Sequence, residues 1–149
     1  MFLHKGTLGD CTPSMHNWCA KMTQCIVNDY SENHPENKEK VIDTIDKFHS
    51  AIGWDNANKC LLPSAPLSAG TWEEVIELTC QALLEAGTIS NAVQKVKSWH
   101  ENLGGIHSDD KPLIPDLKGY MEHLKSNGYL ISICTSDDRK STNDCITAW

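Results

Sequence analysis

The segment Tyr129-Leu130-Ile131-Ser132-Ile133-Cys134 constrains the fold of this chain more than any other. It is apolar, rich in isoleucine and too short for a helix, and it breaks at once into Thr135-Ser136-Asp137-Asp138-Arg139. That pattern predicts a central, buried strand giving way to a helix. Such a strand expects parallel neighbours on both sides, joined to it through helices. The chain offers one other candidate, a stub at Phe2-Leu3. A two-stranded sheet is marginal, and its edges are open to pairing. The fold class expected is therefore α/β with an incomplete, few-stranded core.

Between those ends the sequence reads as helices. Thr12-Pro13 supplies an N-cap followed by proline at the first helical position. Met15, Trp18, Cys19, Met22 and Ile26 then recur at helical spacing. Val41, Ile45, Phe48 and Ile52 form the next stripe, stopped by Gly53. Thr71 with Glu74 three residues on is a capping box, opening a helix through Val75, Leu78, Ala82 and Leu83 to Gly87. Ala92, Val96, Trp99 and Leu103 form a fourth stripe, ended by Gly104-Gly105. Four amphipathic helices on short loops bury their stripes against one another, with Trp18, Trp54, Trp72 and Trp99 as core or loop anchors. After them, residues 106–116 are a Pro- and Asp-rich return. A helix from Leu117 to Ser126 follows, with Gly128 in its C-terminal cap, and Asp137 or Asp138 is expected to cap a last helix stopping at Trp149.

Composition excludes several classes. The formal net charge is −7 and no apolar run approaches the ~20 residues of a membrane span. Neither a nucleic-acid backbone nor a membrane is an expected partner. Met1 to Lys5 is too short and too polar for a signal peptide, so the expected location is cytoplasmic. The seven cysteines include no C-x-x-C pair. Free buried thiols in a reducing compartment are the favoured reading, with a disulfide or zinc set as the other. The seven histidines show no metal-ligand spacing, and His16 and His100 read as surface or satisfied groups on helices.

The two ends also carry motifs. Phe2-Leu3-His4-Lys5-Gly6-Thr7-Leu8 resembles a nucleophile loop of the form D-x-D-G-T-L, with Gly6, Thr7 and Leu8 matching and Leu3 and Lys5 in place of the two aspartates. The strand ending in Thr135-Ser136 resembles a second motif. Together they look like motifs I and II of the haloacid dehalogenase-like (HAD) superfamily of phosphohydrolases. Cys11 to Trp18, Leu61 to Glu74, Pro112 to Leu117 and Leu124 to Tyr129 are similar to the corresponding stretches of its phosphoglycolate-phosphatase-like members. The resemblance implies a HAD-like Rossmannoid core carrying an inserted helical cap. Residues 1–11 would start the core, 12–105 form the cap, and 106–149 return to the core with motif II. It implies later strands as well, with a phosphate-binding lysine and further acidic residues, which this sequence does not reach.

In that family the first aspartate attacks phosphorus, the second handles the proton, and Mg²⁺ neutralises the phosphoryl charge. Leu3 has no nucleophilic atom and no oxygen for a metal, and Lys5 would repel Mg²⁺. Thr135 fits its implied role as phosphoryl ligand unchanged. Gly6 and Thr7 read either as the remnant of the motif I turn or as an ordinary turn, and Lys5 either as a point charge for an anion or as a solvated side chain. Asp10 lies past the turn, where a strand tip would not aim it at substrate. Asp137, Asp138 and Arg139 read as helix-start residues.

No catalytic residue is intact on this reading, and no cofactor is expected for this chain. Three functions follow. The first is descent from a phosphomonoester hydrolase acting on a small phosphorylated metabolite, now inactive. The second is a non-enzymatic binding module built on the cap. The third is an incomplete product of a longer phosphatase gene. The exposed core strand is expected to drive self-association.

Overall fold

The four apolar stripes form helices, and their inward residues meet in one core. The computed structural model describes residues 2–3, 9–10, 12–33, 38–87, 89, 91–103, 111–135 and 139–148. In chain order its elements are β1 (Phe2–Leu3), β2 (Gly9–Asp10), α1 (Thr12–Asn33), α2 (Lys38–Ile52), β3 (Trp54–Asp55), β4 (Cys60–Leu61), α3 (Pro66–Ala69), α4 (Trp72–Ala86), α5 (Ala92–Asn102), β5 (Lys111–Pro112), α6 (Leu117–Ser126), β6 (Ser132–Ile133) and α7 (Arg139–Ala148). The molecule is mostly helical with a few short strands. It divides into two compact units: Met15–Gly104, and Met1–Ser14 with Gly105–Trp149.

In the helical unit, Met22 and Ile26 of α1, Phe48 and Ile52 of α2, Leu83 of α4 and Val96 of α5 are sealed from solvent. These are the positions that the i, i+3, i+4 spacing turns to one face. Two polar side chains share that core. Thr44 and Thr79 each donate a hydroxyl hydrogen to the carbonyl four residues back, Lys40 at 2.7 Å and Val75 at 2.7 Å, so neither is left unpaired. Lys95 of α5 pairs with Asp29 of α1, and both side chains are largely shielded from water.

A chain of rings runs through the same unit. His16 meets Trp54, with ring centroids 4.8 Å apart, and Trp54 meets His49 at 6.1 Å. His49 adjoins Phe48, Phe48 meets Trp18 at 6.2 Å, and Trp18 meets Trp72 at 5.4 Å. Trp72 lies 4.9 Å from His100, and Trp18 closes the far end by donating its indole N–H to His100 Nδ1 at 3.3 Å. The contacts are tilted or edge-on, the arrangements that ring quadrupoles favour. They tie α1, α2, α4, α5 and the β3–β4 hairpin together through side chains. His100 is thus a satisfied group, as read from the sequence. His16 is not: it is half-buried, and its Nε2 has no hydrogen-bond partner.

The helix ends follow local chemistry. Thr71 Oγ1 accepts the Glu74 N–H at 3.2 Å at the start of α4, and Gly87 closes that helix with φ 64°. Gly53 ends α2 with φ 79°, and a Cβ there would stand 1.9 Å from Ala65 Cβ. The start of α1 differs from expectation. Thr12 lies within the first turn rather than capping it, and its own N–H donates to Asp10 Oδ1 at 3.0 Å. The β3–β4 hairpin was not foreseen. It pairs Trp54 with Leu61 and Asp55 with Cys60, too few residues to show strand alternation. Its turn rests on the Asp55 carboxylate, which accepts the N–H groups of Ala57 and Asn58 at 2.8 and 3.1 Å.

The second unit holds two small ladders. β1 and β6 run parallel, with Phe2 beside Ser132 and Leu3 beside Ile133. β2 and β5 run antiparallel, with Gly9 beside Pro112 and Asp10 beside Lys111. The Asp116 carboxylate caps α6 by accepting the Gly119 N–H at 3.0 Å. Leu117 is the centre of a small cluster with Ile114, Met121 and Ile131. Here the sequence reading needs correction. Tyr129 to Cys134 is not a buried central strand. Its ladder covers Ser132 and Ile133, both exposed, and Leu130 is 90% exposed. A strand is buried on both faces only when layers of structure lie on both sides of a wide sheet, and among the described residues β6 has β1 alone as a neighbour. The Asp137 and Asp138 expected to cap α7 lie outside the described residues.

Three substitutions test this packing by chemical denaturation of the full chain. Phe48→Ala should lower stability by about 3–5 kcal/mol, because it empties a sealed site joining two ring contacts. Gly87→Ala meets open space and bears only the left-handed backbone, a cost of about 1 kcal/mol. Gly53→Ala bears the same backbone and also the clash with Ala65, and should be the costlier of the two glycine changes. Equal losses at Gly53 and Gly87 would contradict the close approach.

Candidate functional site

Of the residues singled out from the sequence, Leu3 lies on β1 and Thr135 just beyond β6, and β1 and β6 are paired. Because the two strands are parallel, their C-terminal ends lie at one end of the ladder, the end at which open α/β sheets bind ligands. Thr135 stands two residues beyond β6 and is half-buried. Leu3, the last residue of β1, lies beside Ile133. Lys5, Gly6 and Thr7 fall outside the described residues. Arg139 opens α7 and is exposed.

Asp10 sits in β2, and its carboxylate accepts the Thr12 N–H. That bond gives it a structural task at the start of α1. The donor set does not fit Mg²⁺, which demands several hard oxygen ligands in near-octahedral array. Leu3 offers none, and among the described residues no three His, Cys, Asp or Glu side chains converge.

A cleft among the described residues of this unit holds no catalytic constellation either. It measures about 670 Å³ and is lined by Leu117, Met121, Ile131, Ile133 and Ile146, with Lys118 and Lys125 among its polar members. Thr135 is not in its wall. The cleft lies where α6, β6 and α7 leave apolar side chains uncovered, and an apolar lining suits burial rather than phosphoryl transfer.

The cysteines divide by burial. Burial pushes the Cys19 thiol up to about 12, despite a hydrogen bond with Thr23. Burial also raises Cys25 and Cys80 above the ordinary thiol range. A thiol so raised carries almost no thiolate near neutral pH and is a poor nucleophile or metal ligand. Cys60 and Cys134 are free and exposed, which departs from the expectation of buried thiols. Cys60 sits in β4 and Cys134 directly follows β6.

One residue with unusual surroundings escaped the sequence reading. His49 lies in the Ile45–Ile52 stripe at helical spacing and is 8% exposed; that position on an apolar face was the available signal. Trp54, its ring neighbour, follows the helix-ending Gly53 directly.

No protein-family model, no curated protein and no solved structure matches this chain. No helix among the described residues is long and apolar enough to cross a membrane.

Thiol chemistry checks the burial pattern. With a limiting alkylating reagent at pH 8, mass mapping should find Cys60 and Cys134 labelled within minutes in the native protein. Cys19 and Cys80 should label only in denaturant. Early labelling of Cys19 would contradict its place in the core.

Proposed function

We propose that this chain is a catalytically inactive relative of the HAD-like phosphohydrolases, of the phosphoglycolate-phosphatase-like kind. One observation supports the reading above the others. A nucleophile on motif I and a threonine on motif II must reach the same phosphoryl group, so the two segments must lie side by side and point the same way. Phe2–Leu3 and Ser132–Ile133 are paired in parallel, although roughly the whole length of the chain separates them. A helical unit is inserted between them, as a cap would be.

The chemistry explains the inactivity. Without a carboxylate at position 3 there is no aspartyl phosphate, and with lysine at position 5 there is no acid to protonate the leaving oxygen in the family manner. Loss of such groups costs several orders of magnitude in rate. Thr135 retains the hydroxyl of an ancestral phosphoryl ligand. The setting proposed is the reducing cytoplasm. A second reading, a binding module built on the helical unit, rests on that unit having a sealed core of its own.

Two measurements test the proposal. The purified chain, assayed on p-nitrophenyl phosphate with and without Mg²⁺, should show no magnesium-dependent turnover. Turnover that needs Mg²⁺ and vanishes in Thr135→Ala would show the chain to be active. The double variant Leu3→Asp/Lys5→Asp restores both family carboxylates and should gain Mg²⁺ binding that the parent lacks, measured by calorimetry. A folded double variant with no such gain would count against the motif assignment and favour the binding module.

A further inference from the structure

The polar rim of the cleft formed by α6, β6 and α7 is a single stripe of one helix. Lys118, Glu122 and Lys125 stand at i, i+4 and i+7 of α6, next to the stripe that carries Leu117 and Met121. Ile131 and Ile133 of the β6 segment and Ile146 of α7 complete the apolar wall.

Shape, lining and charge each restrict what belongs there. The cleft is a concavity of about 670 Å³, within the ~300–1,000 Å³ of pockets that take small molecules. Its wall is largely apolar and only partly shielded: Ile133 and Ile146 are 38% and 47% exposed. Displacing water from such a lining with hydrocarbon is favourable. The charge at the rim is opposite to that of the molecule. The chain carries −7 overall, yet two lysines and one glutamate border the cleft. Lys47, Lys95 and Lys140 each pair with an aspartate, whereas Lys118 and Lys125 join no ion pair among the described residues. Lys118 also stands in the first turn of α6, the end at which a helix favours negative charge.

We propose that this cleft binds a long-chain carboxylic acid, with the hydrocarbon tail against Leu117, Met121 and the three isoleucines and the carboxylate at Lys118 and Lys125. The tail matches the lining, and a carboxylate supplies two acceptor oxygens to the ammonium donors at the rim. A second copy of the chain fits the same place less well. A two-fold interface would bring Lys118 and Lys125 of both copies to one mouth, cation toward cation. The site needs neither Leu3 nor Thr135, so it stands apart from the phosphohydrolase reading.

Binding of dodecanoate to the full chain, below its micelle-forming concentration, tests this. Calorimetry should give one site per chain. Decanoate should bind up to about fifteenfold more weakly, because each buried methylene is worth about fourfold. Dodecyltrimethylammonium, with the same tail and the opposite charge, should show no measurable binding at the same concentrations. In methyl NMR of the parent, dodecanoate should shift Met121, Ile131, Ile133 and Ile146 and leave Ile26 and Ile52 of the sealed helical core in place. The double variant Lys118→Gln/Lys125→Gln changes two exposed side chains and should weaken dodecanoate about three- to tenfold. Ile146→Glu, also at an exposed position, puts a carboxylate in the wall and should abolish binding.

No saturable binding, equal binding of the cationic probe, methyl shifts elsewhere, or unchanged affinity in the lysine variant would each overturn the proposal. So would concentration-dependent dimerisation that excludes dodecanoate, which would give the cleft to a second copy. The methyl shifts and the cationic probe are read on the parent, so they decide even where a variant fails to fold.

Discussion

The helical unit depends on the burial of Trp18. Its ring touches Phe48 and Trp72, and its N–H finds His100, so one residue of α1 bonds or packs against α2, α4 and α5. An indole supplies a large apolar surface and a single donor, and this one has both accounted for. The aliphatic stripes give the helices a reason to assemble. The rings fix how they assemble, because tilted and edge-on contacts restrict orientation in a way that aliphatic packing does not. The ring chain ends at His16, whose Nε2 is buried without a hydrogen-bond partner.

The other unit is governed by what a short ladder can bury. Two parallel residue pairs bring together segments from residues 2–3 and 132–133, a closure over most of the chain. Such a contact bears a large loop entropy for few hydrogen bonds. The isoleucines of 129–134 are suited to a wide sheet and here line an open cleft or face solvent instead, with Ile133 at 38% exposure. The apolar composition of this segment exceeds what its present neighbours can cover.

Much of the helical architecture was legible in the residues. The stripes at Met15–Ile26, Val41–Ile52, Val75–Leu83 and Ala92–Leu103 are helices, and Gly53, Gly87 and Gly128 adopt the positive φ expected of terminating glycines. Those signals are local: periodicity, caps and chirality act within a few residues. The burial of Tyr129–Cys134 was misread because a strand's exposure depends on partners elsewhere in the chain. Both antiparallel pairings, Trp54–Asp55 with Cys60–Leu61 and Gly9–Asp10 with Lys111–Pro112, were missed because two-residue strands carry no alternation to read. For the candidate site, the absence of carboxylates at positions 3 and 5 was plain in the sequence, while the buried surroundings of His49 were not.

By itself the sequence determined where helices start and stop, which of their faces turn inward, and that Leu3 cannot act as a nucleophile. These follow from side-chain chemistry and the 3.6-residue period alone. Tertiary structure decided that β1 and β6 run parallel in register, that β2 pairs with β5, and that a histidine one residue past Phe48 is buried beside Trp54 and Thr23. Each depends on which distant groups come within a few ångströms, and the hydrogen bonds and burial that result exist only once the chain has closed on itself.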